Sequence, residues 1–133
     1  MKKILSVDDE PGMLTCFRMS LERRGYSVLT TCDPDEGIEI FRSDPDICLV
    51  MLDVKMPKKN GLQTYKEMRA IRHVPVIFVT AYPRSFSIEN DGVVEIWKKE
   101  FADGTTDIMY KPFELDQLYE KVEGLIGTSA DNA

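Results

Sequence analysis

Two short apolar runs in this chain stop abruptly at carboxylates: Ile4-Leu5-Ser6-Val7 gives way to Asp8-Asp9, and Ile47-Cys48-Leu49-Val50-Met51-Leu52 gives way to Asp53. Such a run reads as a buried strand whose end emerges at a sheet edge, where open α/β folds bind their ligands. Further apolar runs alternate with segments of helical period, the pattern of βα units building a parallel sheet. The predicted strands are Lys3 to Val7, Tyr26 to Thr31, Ile47 to Leu52, Val76 to Thr80 and Asp107 to Tyr110. Helices are predicted for Pro11 to Arg24, from Asp33-Pro34 through Ile38 and Phe41, and for Gly61 to Ile71, Val93 to Phe101 and Glu114 to Ile126. Their apolar positions recur on one face, as in Leu14, Phe17 and Leu21 or Leu115, Leu118, Val122 and Leu125. With right-handed crossovers the array is an α/β fold, a doubly wound (βα)5 three-layer sandwich on a parallel five-stranded sheet.

At 133 residues and 43% apolar content the chain supports one core, because a domain of this size buries roughly two-thirds of its unfolded surface. One domain is expected over residues 1–126, with the small polar residues 127–133 forming a frayed tail or the start of a linker. A net charge of −6 and the lack of a basic stripe argue against direct nucleic-acid binding. The few apolar residues before Asp8 fall short of a signal-peptide core, and no run approaches the ~20 residues of a membrane span. A soluble cytoplasmic protein without a membrane partner is therefore expected. Cys16, Cys32 and Cys48 are odd in number and widely spaced, and are read as buried reduced thiols.

The strand ends gather Asp8, Asp9, Asp53, Thr80 and Lys111 along one edge. Two carboxylates ~5 Å apart repel by about 3 kcal/mol at an effective dielectric near 20, and a cation relieves this. Oxygen-only ligands with room for water and phosphate oxygens suit Mg2+ better than a calcium cage, and the Asp-x-Asp-x-Asp-Gly calcium loop is absent. Lys111 supplies a point charge and Thr80 a hydroxyl donor, the groups needed to hold the oxygens of a transferring phosphoryl group. A carboxylate beside a metal can itself take up that phosphoryl group. Taken singly, these residues have plainer readings: Asp8, Asp9 and Glu10 before Pro11 as helix caps, Lys111 as a solvated lysine. Their joint occurrence at strand ends favours the site.

The residues that carry this reading resemble the receiver domain of bacterial two-component response regulators. They are Val7-Asp8-Asp9-Glu10, Leu52-Asp53-Val54-Lys55-Met56-Pro57 with Asn60-Gly61, Thr80-Ala81, and Lys111-Pro112-Phe113, in order along nearly the whole chain. The resemblance implies a flavodoxin-like strand order 2-1-3-4-5. It implies that Asp53 accepts phosphate from a sensor histidine kinase or phosphotransfer protein. Asp9, Asp53 and the main-chain carbonyl of Lys55 would bind Mg2+, with Asp8 acting through water, while Thr80 and Lys111 contact the phosphoryl group. The Lys111-Pro112 bond would be cis. Such a domain catalyses only its own phosphorylation and dephosphorylation, acts on a downstream protein, and is expected as a monomer or weak dimer.

Three features depart from the family pattern. Ile108 stands where receivers usually carry a switch aromatic, and Tyr110, two residues on and on the same strand face, is its expected substitute. The stretch from Thr80 to Lys111 is longer than usual, with an irregular segment expected from Tyr82 to Gly92. Lys55, two residues after the acceptor, implies slow loss of phosphate. Lys55 also argues against an aspartyl-phosphate phosphatase, which would want an acid there, and the acidic loop after the first strand argues against flavin binding. A phosphorylation-independent adaptor is the remaining alternative.

Overall fold

The computed structural model describes residues 2–54, 61–80 and 105–127. The expected helix Val93 to Phe101, the segment Tyr82 to Gly92, and Lys55 lie outside the described residues. Within them the elements run β1 (Lys3–Val7), α1 (Pro11–Glu22), β2 (Ser27–Thr31), α2 (Pro34–Ser43), β3 (Ile47–Asp53), α3 (Gly61–Ile71), β4 (Val76–Thr80), β5 (Thr106–Tyr110) and α4 (Leu115–Ile126). All strand pairs are parallel and the order is β2-β1-β3-β4-β5. The expected doubly wound sheet is thus observed.

Its central strands are buried on both faces, which is why they read as nearly unbroken apolar runs. Side chains alternate between two cores. Leu5, Val7, Val50, Leu52 and Phe78 pack with Ile38 and Phe41 of α2 and Leu62, Tyr65 and Met68 of α3. Ile4, Leu49, Met51, Ile77, Val79 and Met109 pack on the other face with Phe17 and Leu21 of α1 and Leu118 and Val122 of α4. Tyr119 donates to the Ser20 carbonyl at 3.0 Å, and Arg24 lies 3.9 Å over the Tyr119 ring, joining α4 to α1.

Local signals set the helix ends. Asp33 caps α2 by accepting from the Asp35 amide at 2.9 Å, with Pro34 in the first turn. Past α1, Gly25 takes φ 89°, a left-handed conformation that glycine adopts without steric cost. α1 ends at Glu22 and not at Arg24, because Arg24 and Gly25 close turns onto the Leu21 and Glu22 carbonyls; β2 accordingly starts at Ser27.

The thiols correct the expectation of burial: Cys16 and Cys32 are exposed and Cys48 is half-buried. Cys16 lies off the Leu14–Phe17–Leu21 stripe, two residues from Leu14 and so on the far side of the helix. Leu115, assigned by periodicity to the apolar face of the last helix, is 40% exposed because it opens the first turn, ahead of the buried pair Leu118 and Val122. Among the described residues no helix is long and apolar enough to cross a membrane.

Candidate functional site

The carboxyl ends of β1, β3, β4 and β5 lie side by side, and the ladder continues past them. The Val54 amide donates to the Val79 carbonyl at 3.0 Å and the Lys111 amide to the Thr80 carbonyl at 2.7 Å. Register pairs Val7 with Leu52, which brings Asp8 and Asp53 to adjoining strand ends. Parallel pairing of apolar strands therefore forces acids together that are far apart in sequence.

Asp8 is 1% exposed and Asp53 4%, an unusual burial for carboxylates that calls for paired charges. Both Asp8 oxygens are engaged: Oδ1 accepts from the Glu10 amide at 2.9 Å, and Oδ2 from Lys111 Nζ at 3.1 Å. Lys111 reaches a second carboxylate, Glu10 Oε1, also at 3.1 Å. Burial alone would pull the Lys111 ammonium down. The Glu10 hydrogen bond, the Asp53 charge and the Asp8 charge together outweigh it and hold Lys111 above its ordinary value. The lysine is a fixed cation.

Asp8, Asp9 and Glu10 each offer a carboxylate oxygen within 4.8 Å of the others. With Asp53 alongside, the carboxylates of this cluster outnumber the described ammonium, so a divalent cation is electrostatically favoured there. The donors are all oxygens, the set that hard cations such as Mg2+ take. Residues and metal fit.

Of the residues expected from sequence, Asp8, Asp9, Asp53, Thr80 and Lys111 all sit at this edge, Thr80 fully buried. The Lys55 carbonyl lies outside the described residues. The Lys111-Pro112 peptide is cis, as the resemblance implied. Capping does not account for Glu10: it occupies the N-cap of α1 but makes no side-chain cap hydrogen bond.

Two positions take roles that the sequence reading did not give them. Glu10 pairs with Lys111, and the signal for it was a glutamate, a poor N-cap, placed after two aspartates. Gly61 lets α3 start directly against β3: its amide donates to the Val54 carbonyl at 2.9 Å, and a Cβ there would lie 2.4 Å from the Asp53 carbonyl oxygen. The glycine immediately ahead of an apolar helical stripe was its signal.

The family model for the response regulator receiver domain matches residues 4–123. The transcriptional regulatory protein CpxR of Klebsiella pneumoniae is 32% identical over 129 residues, covering 97% of this chain and 51% of that protein. The alkaline phosphatase synthesis transcriptional regulatory protein PhoP of Bacillus subtilis is 33% identical over 130 residues, covering 96% of this chain and 50% of that protein. The chain thus spans about half the length of the curated relatives it matches. Among solved structures, the response regulator protein TrrA of Thermotoga maritima, in complex with Mg2+-BeF, superposes with a TM-score of 0.73 at 30% identity, covering 94% of this chain and 99% of that one. A receiver domain protein from Clostridium thermocellum gives 0.78 at 28% identity, covering 95% and 94%. With the acidic edge, the half-buried lysine and this match over nearly its whole length, the chain belongs to the response regulator receiver domain family.

Proposed function

We propose that this chain is a phosphorylation-dependent signalling switch in which Asp53 receives a phosphoryl group from a histidine kinase or phosphotransfer protein. The observation that carries the reading is the half-buried Lys111 ammonium set among Asp8, Glu10 and Asp53 at the strand ends. A carboxylate oxygen of Asp53 attacks phosphorus, the phosphorus–nitrogen bond of the phosphohistidine breaks, and the imidazole leaves with the bonding electrons and is reprotonated. The product is an acyl phosphate on Asp53; water later attacks phosphorus, returning the carboxylate and inorganic phosphate. Lys111 and the Thr80 hydroxyl would donate to the phosphoryl oxygens, stabilising charge as it spreads over them.

Asp9, Asp53 and the Lys55 carbonyl would hold Mg2+, with Asp8 acting through water; the engagement of both Asp8 oxygens supports that indirect role. When bound, Mg2+ would neutralise the carboxylates and the phosphoryl oxygens together. The Thermotoga relative solved with Mg2+-BeF supports the same assignment.

The response surface would lie on β5, α4 and residues 93–101, and would meet a downstream protein. Ile108 packs against the core on the α2 and α3 side, whereas Met109 belongs to the opposite core. Tyr110 therefore shares the Ile108 side by strand alternation and pairs in register with Thr80, which supports it as the moving aromatic. Lys55 would slow phosphate loss by shielding the acyl phosphate. We place this switch in the cytoplasm as a monomer or weak dimer, with 1–126 as the receiver unit. Ile108 in the aromatic position favours one second reading, an adaptor that binds its partner without phosphorylation.

The test is incubation with acetyl phosphate and Mg2+, comparing the native chain with Asp53→Asn on a phosphate-affinity gel. A retarded band in the native chain alone is expected. Retardation of both chains would move the acceptor elsewhere, and retardation of neither would favour the adaptor.

A further inference from the structure

Glu10 stands at the N-cap of α1 yet leaves the helix amides uncapped by its side chain. Its carboxylate turns to Lys111, 101 positions away in sequence. The Lys111 ammonium is thereby divided between two unlike partners at the same 3.1 Å distance: Asp8, with a side chain 1% exposed, and Glu10, 60% exposed. Asp8 is fixed on its other oxygen by the Glu10 amide. Glu10 is held by Lys111 and bathed by solvent, so its release costs little, as water solvates a freed surface carboxylate.

An ammonium has three donors in compact geometry. Two are taken by Asp8 and Glu10, so the third meets a phosphoryl oxygen on buried Asp53 only as the ammonium moves inward from the rim, and the exposed Glu10 bond is the weaker of the two to stretch. We infer that Glu10 is a positioning residue that detains Lys111 at the rim of the pocket until phosphoryl oxygens displace it. Its carboxylate and the incoming group compete for one ammonium. The inference rests on Asp53 being the acceptor, and it makes Glu10 a brake on phosphoryl transfer built into the resting site.

The test uses Glu10→Gln, which removes the charge at constant size, and Glu10→Asp, which keeps the charge but is one methylene too short to hold the bridge. In metal-free protein, proton–nitrogen NMR of the lysine ammonium groups reads solvent exchange at Lys111, with Lys121 as internal reference. In the presence of Mg2+, the rate of phosphorylation by acetyl phosphate is measured for all three chains. Both variants are expected to raise Lys111 exchange and the phosphorylation rate by about two- to fivefold, the range an exposed ion pair is worth.

Unchanged exchange at Lys111 in Glu10→Gln would overturn the inference, as would unchanged or slower phosphorylation in both variants. Acceleration by Glu10→Gln with Glu10→Asp behaving as the native chain would overturn it too, leaving only a bulk charge effect. A native chain that takes up no phosphate would defeat the acceptor reading and the inference with it. A phosphorylated native chain indifferent to Glu10 would sink the inference alone.

Discussion

Lys111 and Asp8 form the more buried of the two charge pairs described at the site, 10% and 1% exposed at the side chain. Removing one member of such a pair is worse than never having had it, because the survivor is left charged without compensation. Lys111→Met is accordingly expected to destabilise the metal-free protein by roughly 3 kcal/mol, at the lower end for a buried pair because Asp8 keeps the Glu10 amide. Urea unfolding reads this as a lower midpoint at constant slope, and an unchanged midpoint would show the pair to be energetically idle. Added Mg2+ is expected to raise the native midpoint, since a ligand bound only by the folded state stabilises it, and to do so less in Asp53→Asn. At this scale the sequence made the site's members legible, since each acid or lysine ends or directly follows an apolar strand. It did not reveal the Glu10–Lys111 bond: the two are 101 positions apart, and only the side chain's turn away from the helix joins them.

α3 is held at both ends by contacts that leave little freedom. At its start, Gly61→Ala would drive a methyl to 2.4 Å from the Asp53 carbonyl oxygen, and backbone at that distance cannot yield as a side chain can. The variant is expected to lose about 1–3 kcal/mol of stability, the cost of overpacking, and to phosphorylate more slowly because the strand end bearing Asp53 shifts. Native-like stability and phosphorylation together would remove Gly61 from the account. Just past its end, Arg72 donates to the Phe41 carbonyl at 3.0 Å and the Asp44 carbonyl at 2.9 Å, with its guanidinium 4.0 Å over the Phe41 ring. Arg72→Ala, which frees the close of α2 from the close of α3, is expected to cost about 2–3 kcal/mol in urea unfolding while leaving phosphorylation at Asp53 intact. Loss of phosphorylation without loss of stability would contradict that division of labour. Elements were read well where a feature is local: Gly61–Ile71 matches the expected span because its apolar stripe and opening glycine both lie in that window. The exposure of Cys16 and Leu115 was misread or missed because apolar character at a helix end or off the stripe says nothing of which face is covered.

Among the described residues, charged groups gather at both ends of the sheet. At the carboxyl edge, carboxylates crowd around Lys111; near the opposite edge, opposite charges are paired one to one. Lys3 Nζ lies 2.7 Å from Asp44 Oδ2. That hydrogen bond is the main reason Lys3 is held above its ordinary 10.5 and Asp44 below its ordinary 3.8. A depressed acid contributes stability above its unfolded value and loses it as pH falls through the folded one. A raised amine contributes below its unfolded value and loses it as pH rises through the folded one. The pair therefore contributes fully between 3.8 and 10.5. Asp44→Asn is expected to melt below the native chain throughout that window, with the gap closing as pH drops below 3.8. A gap independent of pH would assign the loss to something other than the charge.

The central claim, that the buried carboxylate of Asp53 captures phosphorus with the help of a divalent ion, is tested most directly by trapping the acyl phosphate. Protein treated with acetyl phosphate and Mg2+ is reduced with borodeuteride, which converts an aspartyl phosphate to deuterated homoserine, and its peptides are sequenced by mass spectrometry. Homoserine at position 53, dependent on Mg2+, is the expected result. Homoserine at position 8 or 9, or a yield at 53 indifferent to Mg2+, would contradict it.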